Sequence, residues 1–352
     1  MYFLTVRGDT RTARDLAQDA LTRRRAAYGQ EADATVSAME HLARAEVQLG
    51  NYRAAVELDE HVIARRSRLG HEHPDRVTAK LNLASDLRAL AANTAGPSAR
   101  AARRALRLER WIVAVRTRQL GHGHKDTLLA QYSPALLLRS RRELSEALPL
   151  HRTVYEGLVE VLGTDRPDTL RAAHGYALAL RDSGEGEAAR DLNADIHRHR
   201  LHVLGPDHPD VLRSAYSHAY DLRACGDRDS ARELLEDAYE RGRNVLGEDH
   251  PDTIRLGHWP AVVLRETGRA DRAEPLIADV HRRRRRGLGD THLDTLRTAA
   301  APAALLRESG DFNRALVLER EVARLLPLQL HRGARTDRTT AFHGSPAWNP
   351  GA

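Results

Sequence analysis

A single cysteine, Cys225, stands among 352 residues. No internal disulfide can form, and the chain suits a reducing compartment such as the cytoplasm. Long apolar runs are missing too: no stretch approaches the roughly eighteen residues of a membrane-spanning helix. The opening MYFLTVR lacks the basic start and apolar stretch of a secretory leader. Aromatic residues make up only 4%, and Lys80 and Lys125 are the only lysines. Neither lysine sits in a glycine-rich loop that could cradle phosphates, so no P-loop is present. Serine–histidine–acid and cysteine–histidine arrangements are absent as well, and Cys225 in RACGDR reads as a small filler between helices. The expectation is a protein that is not an enzyme and carries no cofactor.

Charge is what the chain has in quantity. Charged residues make up 30%, the net charge is +6, and the positive side is almost all arginine. Abundant arginine and alanine fit a GC-rich genome as well as a phosphate-binding surface, so basicity alone does not indicate nucleic acid. The run RRRRR at 282–286 falls near the end of a helical segment, where RRR at 23–25 and ARRSR at 64–68 also fall. Cations there complement the helix C-terminus. A nucleic-acid site for single strands would also call for interleaved aromatics.

The organising feature is a repeat. A Leu-Gly pair recurs at Leu69-Gly70, Leu120-Gly121, Leu162-Gly163, Leu204-Gly205, Leu246-Gly247 and Leu288-Gly289, preceded by Tyr28-Gly29. From Tyr28 through to Leu330 the steps run 41, 51, 42, 42, 42, 42 and 42 residues. The long step holds an insertion near AANTAGPSA, 91–99. Fifteen residues after each joint stands an alanine: Ala43, Ala84, Ala135, Ala177, Ala219, Ala261 and Ala303. A turn glycine follows at Gly50, Gly184, Gly226, Gly268 and Gly310, and a leucine row runs Leu58, Leu108, Leu150, Leu192, Leu234, Leu276 and Leu318. Self-similarity of this kind marks a repeat architecture.

Each unit reads as two helices. Leu170, Ala173, Ala177 and Leu180 share one face of the first, over 168–184. Gly184 supplies the positive φ that ends it, and Ala189, Leu192 and Ile196 face inward from the second, over 185–205. In LGPDHPDVL (204–212) Gly205 closes one helix, while Pro209 and Asp210 open the next. His208 recurs as His73, His124, His250 and His292 but is Arg166 in the fourth unit. A metal ligand would not tolerate that replacement, so the histidine belongs to a structural joint. His197 and His199 fall on different helix faces, and no metal site is expected.

These features resemble the tetratricopeptide repeat, in the 42-residue form of kinesin light chains and many actinobacterial proteins. The first-helix alanine matches that family's small position. The turn glycine followed five residues later by Ala55, Ala147, Ala189, Ala231, Ala273 or Ala315 matches its second-helix signature, and LGNYRAA (49–55) is the closest single match. Arg142, in place of the turn glycine, and Glu46, in place of an apolar residue, depart from the pattern. The resemblance implies an all-α, right-handed superhelical solenoid over residues 1–330: a half repeat (1–29), then seven helix pairs. Residues 1–7 would be the stub of a first helix, with Gly8 taking the turn before Ala13 and Leu16. This implies fraying there or a natural start further upstream. Residues 331–352 hold few core-forming side chains and read as a flexible tail.

The resemblance also implies that first helices line a concave groove for a peptide or partner protein. In the last four units the groove stripe reads Arg171, His174, Leu178, Arg181; Arg213, Tyr216, Tyr220, Arg223; Arg255, His258, Val262, Arg265; and Arg297, Ala300, Ala304, Arg307, with Arg88 and Arg139 extending one row backwards. Two roles stay open for these arginines. They could present guanidinium forks to an acidic partner, with Tyr216 and Tyr220 as anchors, or pair with Asp182, Glu266 and Glu308 to brace neighbouring repeats. The leading expectation is a scaffold for protein partners. The alternatives are the repeat portion of a signal-transduction ATPase of the STAND type, with its nucleotide-binding domain elsewhere, and an arginine-rich nucleic-acid binder.

Overall fold

A computed structural model describes residues 10–93 and 98–289, together with Thr295, Arg307, Phe312, Asn313, Leu316, Glu319, Arg320 and Ala323. The N-terminal stub, the tip of the 91–99 insertion, Arg297 and the tail lie outside the described residues. Among those described, every regular element is helical. The chain forms two compact units, Met1–Ser183 and Gly184–Ala352.

The first unit holds α1 (Thr10–Tyr28), α2 (Asp33–Gln48), α3 (Tyr52–Arg65), α4 (Pro74–Asn93), α5 (Ser98–Leu120), α6 (Lys125–Ser140), α7 (Leu144–Leu162) and α8 (Pro167–Asp182). The second holds α9 (Gly186–Leu204), α10 (Pro209–Ala224), α11 (Arg228–Leu246), α12 (Pro251–Glu266) and α13 (Ala270–Leu288). Within each unit every helix packs on the next in sequence, and first helices two apart also touch, α6 on α8 and α10 on α12. This consecutive stacking of helix pairs is the all-α repeat fold expected from the 42-residue period.

Local chemistry sets the helix ends. Gly29, Gly121, Gly163, Gly205, Gly247 and Gly289 take φ between 78° and 89° at the joints, a left-handed conformation that side chains resist. Gly70 does not share it: α3 runs instead into a 3-10 turn at Arg66–Arg68, and Leu69 is extended. The turn position keeps its positive φ even where glycine is missing, since Arg142 adopts φ 62°.

The recurring histidine has a more specific role than the sequence indicated. It is the N-cap itself. Nδ1 of His124, His208 and His250 accepts the backbone N–H of Asp126, Asp210 and Asp252 at 3.2, 3.1 and 3.2 Å, and His73 receives Asp75 N–H at 3.3 Å. One of the N–H groups that a helix start leaves without an internal partner is thereby satisfied. Arg166, in the same place before α8, provides no side-chain cap.

The small positions lie in the core. Ala43, Ala84, Ala135, Ala177, Ala219 and Ala261 are all buried, as are Ala55, Ala147, Ala189, Ala231 and Ala273 from the second helices. The leucine row needs correction: Leu58, Leu108, Leu150, Leu192, Leu234 and Leu276 are only half-buried. The residue after each one is buried instead, and it runs Asp59, Glu109, His151, Asn193, Leu235, Ile277. Four of these six are polar. Asn193 reaches across the repeat boundary, donating from Nδ2 to Asp221 Oδ2 at 2.6 Å. Glu46, the other departure, is buried but accepts from Arg14 Nε at 3.0 Å and Asn51 Nδ2 at 2.7 Å.

Candidate partner-binding face

The stripe of first-helix residues is carried in the second unit by α10 and α12. Both helices start with the same cap, proline and aspartate, so equivalent side chains stand in register. Trp259, just outside the predicted stripe, is the centre of the arrangement. Its Nε1 donates to the Tyr216 hydroxyl at 2.8 Å, and its ring meets Tyr216, Tyr220 and His258 edge-on at centroid distances of 6.3, 5.4 and 5.6 Å. Tyr216, Trp259 and His258 are buried, and Tyr220 is half-buried. Burial, with a smaller push from the Arg284 charge, brings the His258 pKa down to about 3, so this ring is neutral.

Guanidinium groups lie on these rings. Arg223 sits 5.2 Å from the Trp259 centroid and Arg255 5.6 Å from that of Tyr216, within the range of a cation–π attraction. Arg223 also forms a two-pronged pair with Glu266, one prong being Nε to Oε2 at 2.8 Å. Its hydrogen bond to Glu266 raises the Arg223 pKa and lowers that of Glu266. At the opposite ends of these helices Arg213 pairs with Asp210 and reaches Asp252 at 3.8 Å, while Arg255 pairs with Asp252. Arg265 is exposed.

The first unit carries equivalent residues in sparser form. Arg139 donates to Asp182 Oδ2 at 2.9 Å, with Arg142 at 3.4 Å from the other oxygen. Arg171 pairs with Asp168 at 2.8 Å and lies 5.6 Å from the Tyr132 ring centroid. His174 and Arg181 are half-buried on α8. Arg307 is exposed and pairs through Nε with Glu319 at 2.6 Å. Carboxylates forty-three residues on therefore engage two of the arginines, Arg139 and Arg223. The pairing neutralises charge at the helix ends and orients the guanidinium forks.

The basic run at 282–286 is also drawn into pairs. Arg283 reaches Asp279, Glu248 and Asp249, and Arg286 reaches Asp249 at 3.4 Å. A cavity of about 600 Å³ opens here, lined by Tyr239, Arg243, Leu264, Asp279 and Arg283 among others. Related staples join the acidic residue two places after a joint glycine to the following second helix: Arg65 to Glu31, Arg118 to Glu72 and Arg241 to Asp207. Among the described residues no group of three or more histidine, cysteine or acidic side chains could hold a metal ion, and no helix is long and apolar enough to cross a membrane.

Consecutively stacked helix pairs are the architecture of helical-repeat proteins. The tetratricopeptide repeat model matches residues 35–75, 169–210, 211–252 and 261–294. A solved structure of kinesin light chain-like repeats from Podosopora anserina is 27% identical, covers 59% of this chain and 95% of its own, and superposes with a TM-score of 0.51. The chain thus carries tetratricopeptide repeats, similar to those of kinesin light chain-like proteins. The apo quorum sensor NprR from B. thuringiensis shares the fold at 10% identity, with 92% and 84% of the two chains covered and a TM-score of 0.65. So does the Rap conjugation gene regulator of plasmid pLS20, solved in complex with the Phr* peptide, at 11% identity, 86% and 77% coverage and a TM-score of 0.53. No curated protein matches the sequence.

Proposed function

We propose that this protein is a non-catalytic scaffold that holds an extended, acidic segment of a partner protein along its first helices. The observation that carries this reading is the alternation of guanidinium and aromatic groups on α10 and α12, from Arg213 and Arg255 over Tyr216 and Trp259 to Arg223. The ion pairs do not exhaust these arginines. A guanidinium has five N–H donors, and the pair with Glu266 occupies Nε and one terminal nitrogen of Arg223. A ring beneath and a carboxylate alongside hold the fork in one orientation, so less side-chain entropy is lost when a partner carboxylate docks. Exposed Arg265 adds charge at the same end of α12. The Rap regulator of pLS20 supports the capacity of this fold to engage a peptide. An exposed Cys225 thiol suits a reducing, cytoplasmic setting.

The test uses Arg223→Gln with Arg265→Gln, which removes charge without setting a new carboxylate beside Glu266. A partner recovered from the native cell and purified should bind the double variant more weakly by about 1.5–3 kcal/mol in calorimetry, the range for hydrogen bonds to charged groups. Helical circular dichroism should be unchanged. Undiminished affinity with intact helicity refutes the groove assignment.

A further inference from the structure

In the first unit three neighbouring helices bury three carboxyls beside a single guanidinium. Asp59 on α3, Asp86 on α4 and Glu109 on α5 are 1%, 8% and 3% exposed. One guanidinium serves the three carboxyls: Arg88 donates to Glu109 Oε1 at 3.1 Å. Glu40 of α2 also faces Asp59, but it is already paired at 2.9 Å with Arg66 of the 3-10 turn. Asp59 Oδ2 and Glu109 Oε2 are buried with no hydrogen-bond partner. Three ionised carboxylates against one arginine would leave net negative charge out of water, at a cost several times any pairwise gain. Protons held on the carboxyls remove that cost.

We propose that the α3–α4–α5 interface is a proton-held latch, closed while Asp59 and Glu109 keep their protons and loosened as pH rises through neutrality. Burial, reinforced by the charge of Asp86, pushes the Asp59 carboxyl up to about 8. Burial likewise pushes Asp86 and Glu109 up to about 7, opposed at Asp86 by a hydrogen bond with Asp59 and then the Arg88 charge, and at Glu109 by Arg88 alone. A carboxyl whose folded pKa lies above its unfolded value of 3.8 or 4.5 stabilises the closed form fully at low pH. That contribution declines as pH climbs from the unfolded value to the folded one. Opening releases protons in that window, so base favours opening.

The second unit provides an internal reference. Asn193 and Asp221 occupy the same repeat positions as Asp59 and Asp86, and there an amide, which carries no acidic proton, donates to Asp221 in place of a second acid. Amide hydrogen exchange of the full chain should be followed at pH 6, 7 and 8, with chemical exchange rates corrected. Protection of α3, α4 and α5 should fall up to about tenfold per pH unit for each proton released on opening, while α10 and α11 change little. Asp59→Asn with Glu109→Gln should flatten the slope in α3–α5. A slope in the natural protein no steeper than that of α10 and α11 overturns the latch, whether or not the double variant folds. A slope that persists in a folded double variant overturns it equally.

Discussion

Arg142 is the one described side chain held at positive φ, and exchanging it for glycine isolates the cost of that backbone. The left-handed conformation costs a side-chain-bearing residue about 1–2 kcal/mol, and Arg142→Gly removes that cost. Against it, glycine makes the unfolded chain freer by roughly 0.4–1 kcal/mol. The exchange also removes the ion pair of Arg142 with Asp182 at 3.4 Å, in which the arginine side chain is 46% exposed; such a pair contributes no more than a few tenths of a kcal/mol. Asp182 keeps Arg139 at 2.9 Å. The net expectation is a gain of about 0.5–1 kcal/mol. The control is Gly226→Ala, at φ 93° with nothing within 4 Å of the added Cβ, so it imposes backbone strain without collision. It should cost about 1 kcal/mol. Urea unfolding followed by circular dichroism should show the two midpoints moving in opposite directions at unchanged slope. If Arg142→Gly lowers the midpoint, or Gly226→Ala leaves it in place, the strain argument fails.

Arg166→His should complete the cap missing before α8 and stabilise the first unit by about 0.5–1 kcal/mol; a thermal midpoint that does not rise would show that the histidine caps contribute nothing. His151 is fully buried, and burial, aided by the Arg139 charge, holds its pKa down at about 4. Its contribution is intact above the unfolded value of 6.5 and is lost as pH falls towards 4, amounting to about 3 kcal/mol. His151→Leu should therefore blunt acid unfolding between those values, and an unchanged acid limb would exclude His151 as its source.

The helix ends were readable from the sequence because they are local. Gly205 does close α9 and Pro209 does open α10, and α8 and α9 fall within two residues of the spans read from apolar spacing. The histidine cap escaped because Pro and Asp directly after it carry the usual start signals, although its place two residues before each aspartate was visible. Glu266 and Asp182 could be named as partners of the arginines because one period plus one residue puts them in register. What could not be read was which of those neighbours a fork would choose. The buried row behind the leucines was equally hidden. Asp59, Glu109, His151 and Asn193 look like surface residues until the facing helix is present, since burial between repeats has no signature within one repeat. Trp259 was missed for a related reason: it lies outside the stripe spacing and is linked to it only through Tyr216.

The cations seated on indole rings make the two units optically separable. Lys80 Nζ lies 3.5 Å from the Trp111 centroid in the first unit, and Arg223 lies over Trp259 in the second. Trp348, the remaining tryptophan, is outside the described residues. With Trp348 replaced by phenylalanine, the intrinsic emission comes from one indole per unit. Each indole sits beside a charge that shifts its emission, and unfolding removes that charge. Removing Trp111 or Trp259 in turn then yields a single emitter that reports the melting of its own half of the chain without any added dye.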